Sequence, residues 1–151
     1  MKTVVLGKSG LVATKPSLGC LPLQRCDKDY AVRLLRAAYD GGIRFFDTAN
    51  AYTDSEEKIG LALSDVRSDI ILATKSAARD KAGVLCHIEN SLRMMKTDYI
   101  DLFQFHQVPD VPDPEDPDDA PQAAKATMTS AIDNTSRQRS TFFLITFLPS
   151  P

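Results

Sequence analysis

The sequence predicts an α/β fold: a partial (β/α)8 TIM barrel, built from an N-terminal hairpin and about four βα units, with an irregular C-terminal tail. Two observations carry that prediction. Short apolar runs end on polar or small residues at Cys20, Asp47, Lys75 and His106, at intervals of 27, 28 and 31 residues. That interval holds one strand, one crossover helix and their loops in a parallel sheet. Between the runs lie stretches with helical periodicity, so strand and helix alternate along the chain. A complete eight-unit barrel takes roughly 200–250 residues or more, and the 151 residues here supply about half of one.

Each element follows from local chemistry. Residues 2–14 read as a hairpin turning on Gly7-Lys8-Ser9-Gly10, and residues 17–20 as a short strand. Residues 29–40 place Ala31, Leu34, Leu35, Ala38 and Tyr39 on one helical face, closed by Gly41-Gly42. Residues 43–47 form the next strand. Asp54 with Glu57 three positions on predicts a capping-box start for a helix through Leu63. Residues 69–74 read as a buried strand. Asp80 opens a helix whose inward positions are Leu85, Ile88, Leu92 and Met95, with His87 on its solvated face. Residues 99–106 are the last strand of the series.

Composition changes near residue 108. Through residue 107 there are 15 basic and 13 acidic residues; beyond it there are 3 and 7, with seven of the nine prolines and none of the seven glycines. Residues 1–108 therefore form the half-barrel, residues 109–121 an acidic proline-rich linker that suits neither helix nor ladder, and residues 122–151 a tail of low order with a short strand at 141–148.

A net charge of −2 excludes a generic nucleic-acid binder. No apolar run approaches the ~20 residues of a membrane span, and the first apolar run is too short for a secretory signal, so a cytoplasmic location is expected. Cys20, Cys26 and Cys86 are odd in number and lack a C-x-x-C pair, which predicts free thiols, no metal site and no iron–sulfur centre.

Chemistry concentrates where strands end, because parallel α/β sheets build their sites at the carboxyl ends of strands. Asp47, Lys75 and His106 each close an apolar strand, and Tyr52 lies five residues past Asp47 on the same loop. A carboxylate, an ammonium, a phenol and an imidazole thus share one rim. The ammonium is expected to lower the phenol's pKa and the carboxylate to hold the ammonium in place, while the imidazole N–H orients a carbonyl. Plainer alternatives stay open: a rim salt bridge for Asp47 and Lys75, a packing aromatic for Tyr52, and a satisfied strand-end histidine for His106.

At these residues the chain resembles the aldo-keto reductase family. The likeness rests on Phe45-Phe46-Asp47-Thr48-Ala49-Asn50-Ala51-Tyr52, continued by Ser55-Glu56-Glu57-Lys58-Ile59-Gly60. Leu72-Ala73-Thr74-Lys75, Asp98-Tyr99-Ile100-Asp101-Leu102-Phe103-Gln104-Phe105-His106 and the hairpin Leu6-Gly7-Lys8-Ser9-Gly10-Leu11 reinforce it. It covers residues 1 to about 108.

The resemblance implies NAD(P)H-dependent reduction of an aldehyde or ketone by hydride transfer, with NADPH the usual cofactor. Tyr52 is then the general acid, Lys75 and Asp47 its partners, and His106 the group that orients the carbonyl. Gly19, Cys20 and Asp47 lie where the family approaches the nicotinamide. In that family the second half of the barrel supplies most of the cofactor site, and nothing after Val108 resembles it. The 151-residue chain is accordingly expected to be inactive alone. Non-catalytic binding or regulatory module and truncated remnant of a reductase are the alternative readings. The expected partners are a small carbonyl substrate and, through open sheet edges, further copies of the chain, with no nucleic acid and no membrane.

Overall fold

The computed structural model describes residues 1–107. The linker at 109–121, the tail at 122–151 and the strand expected at 141–148 lie outside the described residues.

Strands β1 (Lys2–Val5) and β2 (Val12–Lys15) pair antiparallel, with Lys2 opposite Lys15 and Val5 opposite Val12. Their turn uses Gly7 at φ +54° and Gly10 at φ +75°, backbone that glycine adopts without steric penalty. This is the expected hairpin.

A second sheet carries β3 (Leu18–Gly19), β4 (Phe45–Asp47), β5 (Ile71–Ser76) and β6 (Leu102–Phe105), in that order and all parallel. Helices α1 (Lys28–Asp40), α2 (Ser55–Leu63) and α3 (Lys81–Met95) make the crossovers. This is the predicted α/β wiring, four βα-type strands behind a hairpin. Each strand is shorter than expected or moved by a residue or two, because flanking apolar residues such as Ile43 and Ile100 lie outside the ladder yet still pack into or against the core.

Side chains alternate across the sheet. Phe46, Leu72 and Phe103 face the helices and join Leu35, Ile59, Val84 and Met95 in the core. The opposite face carries Asp47, Lys75 and Gln104, with Lys75 level with Gln104 across β5 and β6.

The hairpin attaches at the amino end of this sheet. Thr14 Oγ1 accepts the N–H of Arg44, just ahead of β4, at 3.0 Å. At the same end Arg67 sits in a 3-10 turn with its guanidinium buried. It donates to Ile70 O (3.0 Å), Tyr99 O (3.0 Å) and Asp101 Oδ2 (2.6 Å), and lies 3.7 Å from the Tyr99 ring centroid. Asp101 Oδ2 also accepts the Leu72 N–H at 2.9 Å. One guanidinium therefore fixes the entries to β5 and β6.

Three local expectations are corrected. The capping box at Asp54 does not form: Asp54 makes no side-chain cap bond and instead accepts from Lys58 Nζ at 2.8 Å, while Glu57 pairs with Lys28 at 2.8 Å. Lysine ammoniums, one four residues on along α2 and one distant in sequence, outcompete the local N–H groups for the two carboxylates. The inward face of α3 is Val84, Ser91 and Met95 flanked by Ile88 and Leu92, with Leu85 outside the core. His87 is half-buried rather than solvated, because its Nδ1 lies 2.7 Å from Ser76 Oγ at the end of β5. The N-caps of α1 and α3 do behave as capping chemistry requires: Asp27 accepts from Tyr30 N at 2.7 Å and Asp80 from Gly83 N at 2.9 Å.

Candidate active site

The carboxyl ends of β3 to β6 bring the predicted side chains together. Asp47 is the last residue of β4, and Lys75 the penultimate residue of β5. Lys75 Nζ donates to Asp47 Oδ2 at 2.7 Å and to the Thr48 carbonyl at 2.7 Å. An ammonium has three donors, so one remains for a group at the rim. Side-chain exposure of 16% for Lys75 and 35% for Asp47 puts the pair at the mouth of the sheet rather than deep inside it.

Tyr52 reaches this pair from the loop after β4. Its N–H bonds Ala49 O at 3.0 Å and its carbonyl accepts from Ser55 N at 2.8 Å, a tight path into α2. Lys75 Nζ stands 5.7 Å from the Tyr52 ring centroid. His106 follows β6 directly, and its ring meets Tyr52 edge-on with centroids 5.5 Å apart and planes at 81°. Its backbone N–H bonds Ser76 O at 2.8 Å, which carries the ladder one residue past the strand. Arg79 donates to the carbonyls of His106 (2.7 Å) and Gln107 (3.0 Å) and clamps the end of the chain path that bears the imidazole.

The electrostatics differ from the expectation in one respect. The Tyr52 phenol is held above its ordinary pKa, first by burial and then by the Asp47 carboxylate. Lys75 was expected to lower it, but its charge is engaged by Asp47, so desolvation dominates. His106 is pushed below its usual value, mainly by burial and next by the Lys75 ammonium. At neutral pH the site therefore holds a protonated phenol and a neutral imidazole.

Gly19 and Cys20 end the strand beside Asp47, with Gly19 in register with it. A Cβ on Gly19 would meet nothing within 4 Å, so this backbone is open to a close approach. Cys20 turns the other way. Its thiol is fully buried in the core, and burial pushes its pKa up to about 12. Its N–H goes to Asp47 O at 2.8 Å and its carbonyl accepts from Ser55 Oγ at 3.0 Å, so Cys20 joins β3 to the Tyr52 loop from behind. Cys20, Cys26 and Cys86 are all free thiols.

Residue-type reasoning missed Lys58. It is 1% exposed and donates to Leu23 O (2.8 Å), Cys26 O (2.7 Å) and Asp54 Oδ1 (2.8 Å), tying the loop after β3 to α2, which starts three residues beyond Tyr52. The lysine pulls the Asp54 carboxyl below its usual range. A lysine in a helix reads as solvated, and only the small and apolar residues Ile59, Gly60, Ala62 and Leu63 around it signalled burial. Among the described residues no cluster of His, Cys, Asp and Glu has a metal-holding arrangement, and no helix is long and apolar enough to cross a membrane.

Comparison with known proteins agrees with this geometry. The model of the Aldo/keto reductase family matches residues 10–135, reaching beyond the stretch in which the motifs lie. The uncharacterized oxidoreductase YqkF of Bacillus subtilis is 38% identical over 120 residues, covering 70% of this chain and 39% of the relative. The holo structure of aldo-keto reductase AKR11C1 from Bacillus halodurans superimposes with a TM-score of 0.73 at 30% identity, over 96% of this chain and 51% of that one. An aldo-keto reductase from Klebsiella pneumoniae in complex with NADPH gives a TM-score of 0.70 at 26% identity, over 89% and 46% of the two chains. The chain thus spans about two-fifths of the length of the curated relative and about half that of the solved ones. With four strands wired in parallel and an acid, an amine, a phenol and an imidazole at their shared rim, this chain belongs to the aldo/keto reductase family.

Proposed function

We propose that this rim is the proton-donating half of an NAD(P)H-dependent carbonyl reductase site, acting on an aldehyde or ketone. The observation that carries the reading is the triangle of Lys75 against Asp47 at 2.7 Å, Lys75 at 5.7 Å from the Tyr52 ring centroid, and Tyr52 edge-on to His106 at 5.5 Å. Tyr52, kept protonated by burial, donates its proton to the carbonyl oxygen. The free N–H of Lys75 faces the phenolate left behind, and Asp47 holds that ammonium charged and in place. Neutral His106 offers a ring N–H to the same oxygen and orients it.

A reduced nicotinamide, when bound, supplies the hydride, as the NADPH complex of the Klebsiella relative suggests. Gly19 and Asp47 fit its approach, since Gly19 leaves open space beside the carboxylate; Cys20 supports them from the core. Hydride transfer requires the cofactor carbon within about 3–3.5 Å of the carbonyl. The matched stretch covers 39% of the relative YqkF, and our reading includes that the 151 residues by themselves do not turn over.

Two measurements test this. The intact chain titrated with NADPH, by fluorescence or calorimetry, shows no binding at millimolar levels and no aldehyde reduction; micromolar binding with turnover sinks the claim of inactivity. Residues 1–107 fused to the remaining half of AKR11C1 restore NADPH-dependent aldehyde reduction, which Tyr52→Phe abolishes. Undiminished activity after that substitution removes Tyr52 from the acid role.

A further inference from the structure

Beneath the rim, β6 and the residue that follows it carry two buried polar atoms without a hydrogen-bond partner among the described residues: Gln104 Oε1 and His106 Nδ1. Gln104 is 8% exposed, and it stands level with Lys75 on the neighbouring strand. Residues two apart on a strand project from the same face, so amide and imidazole both look toward the Asp47–Lys75 side. Their Cα atoms are about 6.6 Å apart along the strand, and one water spans roughly 5.5 Å between two acceptors. An orphaned buried oxygen and an orphaned buried ring nitrogen each carry a desolvation penalty that a shared donor removes.

We propose that Gln104 is a positioning residue of this site. Its Oε1 and the His106 Nδ1 share one ordered water that donates a hydrogen bond to each, which holds His106 as the Nε2–H tautomer. An amide oxygen only accepts, so the water must give it a proton. In the proposed arrangement the water's other proton points at Nδ1, which can accept it only when unprotonated; a water that instead accepted from Nδ1–H would give the opposite tautomer, which the test reads directly. The ring's single N–H is thereby left on Nε2, the donor that carbonyl orientation requires. The inference rests on His106 being that orienting group, yet the tautomer exists whether or not any carbonyl is reduced.

The test is the nitrogen chemical shifts of His106 in the intact 15N-histidine-labelled chain near neutral pH. His87 is the sole other histidine, and a His87→Gln sample assigns the signals. The wild type shows the Nε2–H form. Gln104→Leu raises the ratio of Nδ1–H to Nε2–H about fivefold, the weight of one hydrogen bond. Gln104→Glu, which keeps an acceptor oxygen, retains the wild-type tautomer. A wild-type Nδ1–H form overturns the proposal without any variant, and so does an unchanged ratio in a folded Gln104→Leu chain. Neither result bears on whether Tyr52 donates a proton, which the fusion experiment reads separately.

Discussion

The edge of one ring meets the face of the other where Tyr52 and His106 come together, 5.5 Å between centroids and 81° between planes. The contact belongs to the carbon frameworks, while the phenol oxygen and the imidazole nitrogens carry the chemistry. Packing and reactivity at Tyr52 are therefore separable. Tyr52→Phe keeps the ring contact and changes stability by no more than about 0.5 kcal/mol, whereas aldehyde reduction by the fusion with AKR11C1 falls by about 10²–10⁴-fold. Urea denaturation of the single chain and steady-state rates of the fusion check the two halves.

Lys58→Met replaces a buried ammonium with an apolar chain of similar length. It leaves Cys26 O without its lysine donor, in a region where Lys58 is 1% exposed, while Leu23 O keeps only the Cys26 N–H at 3.1 Å. An orphaned buried carbonyl costs about 1–3 kcal/mol, so a loss of about 2 kcal/mol is expected in urea unfolding. Asp54→Asn, at the exposed end of the same pair, costs less, because solvent screens its contribution.

Gly60→Ala forces α2 away from α3. A Cβ there would stand 2.3 Å from Met94 O and 2.8 Å from Met95 C, both backbone atoms that cannot swing aside. We expect a loss of about 3 kcal/mol, read as a lowered midpoint in thermal unfolding. A melting temperature within a degree of wild type would show that the helices separate freely.

The His106 imidazole titrates below 6.5 in the folded chain because burial and the Lys75 ammonium disfavour its charge. The unfolded chain, with the ordinary value of about 6.5, takes up the proton first. Stability therefore falls as pH drops from about 6.5 through the folded value, and the loss is complete below it. His106→Gln flattens this part of the stability–pH curve. NMR titration of the ring and urea midpoints across the range test it.

Much of the site was legible because strand period and side-chain chemistry coincide. Asp47, Lys75 and His106 each follow an apolar run, and a parallel sheet brings such positions to one rim. The supporting charges were not legible. Lys58 and Arg67 lie in segments whose pattern reads as solvated helix or turn, and they are interior because carbonyls far away in sequence need donors: Leu23 and Cys26 for one, Tyr99 for the other. The misread capping box at Asp54 has a related origin: Glu57 is drawn away by the distant Lys28, and Asp54 by Lys58 one helical turn on. Val84 rather than Leu85 meets the core; one residue of helical register is a 100° turn, finer than apolar spacing resolves. Gln104 entered the sequence reading only as part of the 98–106 motif, and the sheet register revealed that it shares a face with Lys75.

Arg67 ties Ile70, Tyr99 and Asp101 into one anchorage at the foot of two strands. From there to Lys75 the chain climbs about 13–17 Å at ~3.3 Å per residue, and the parallel ladders on either side carry the register set at the foot upward. The levelling of the Lys75 amine with the Gln104 amide at the top therefore begins at the bottom, with a group that never approaches the reacting atoms. Damage at that footing would surface as a tilted rim, even where every side chain on the rim is intact.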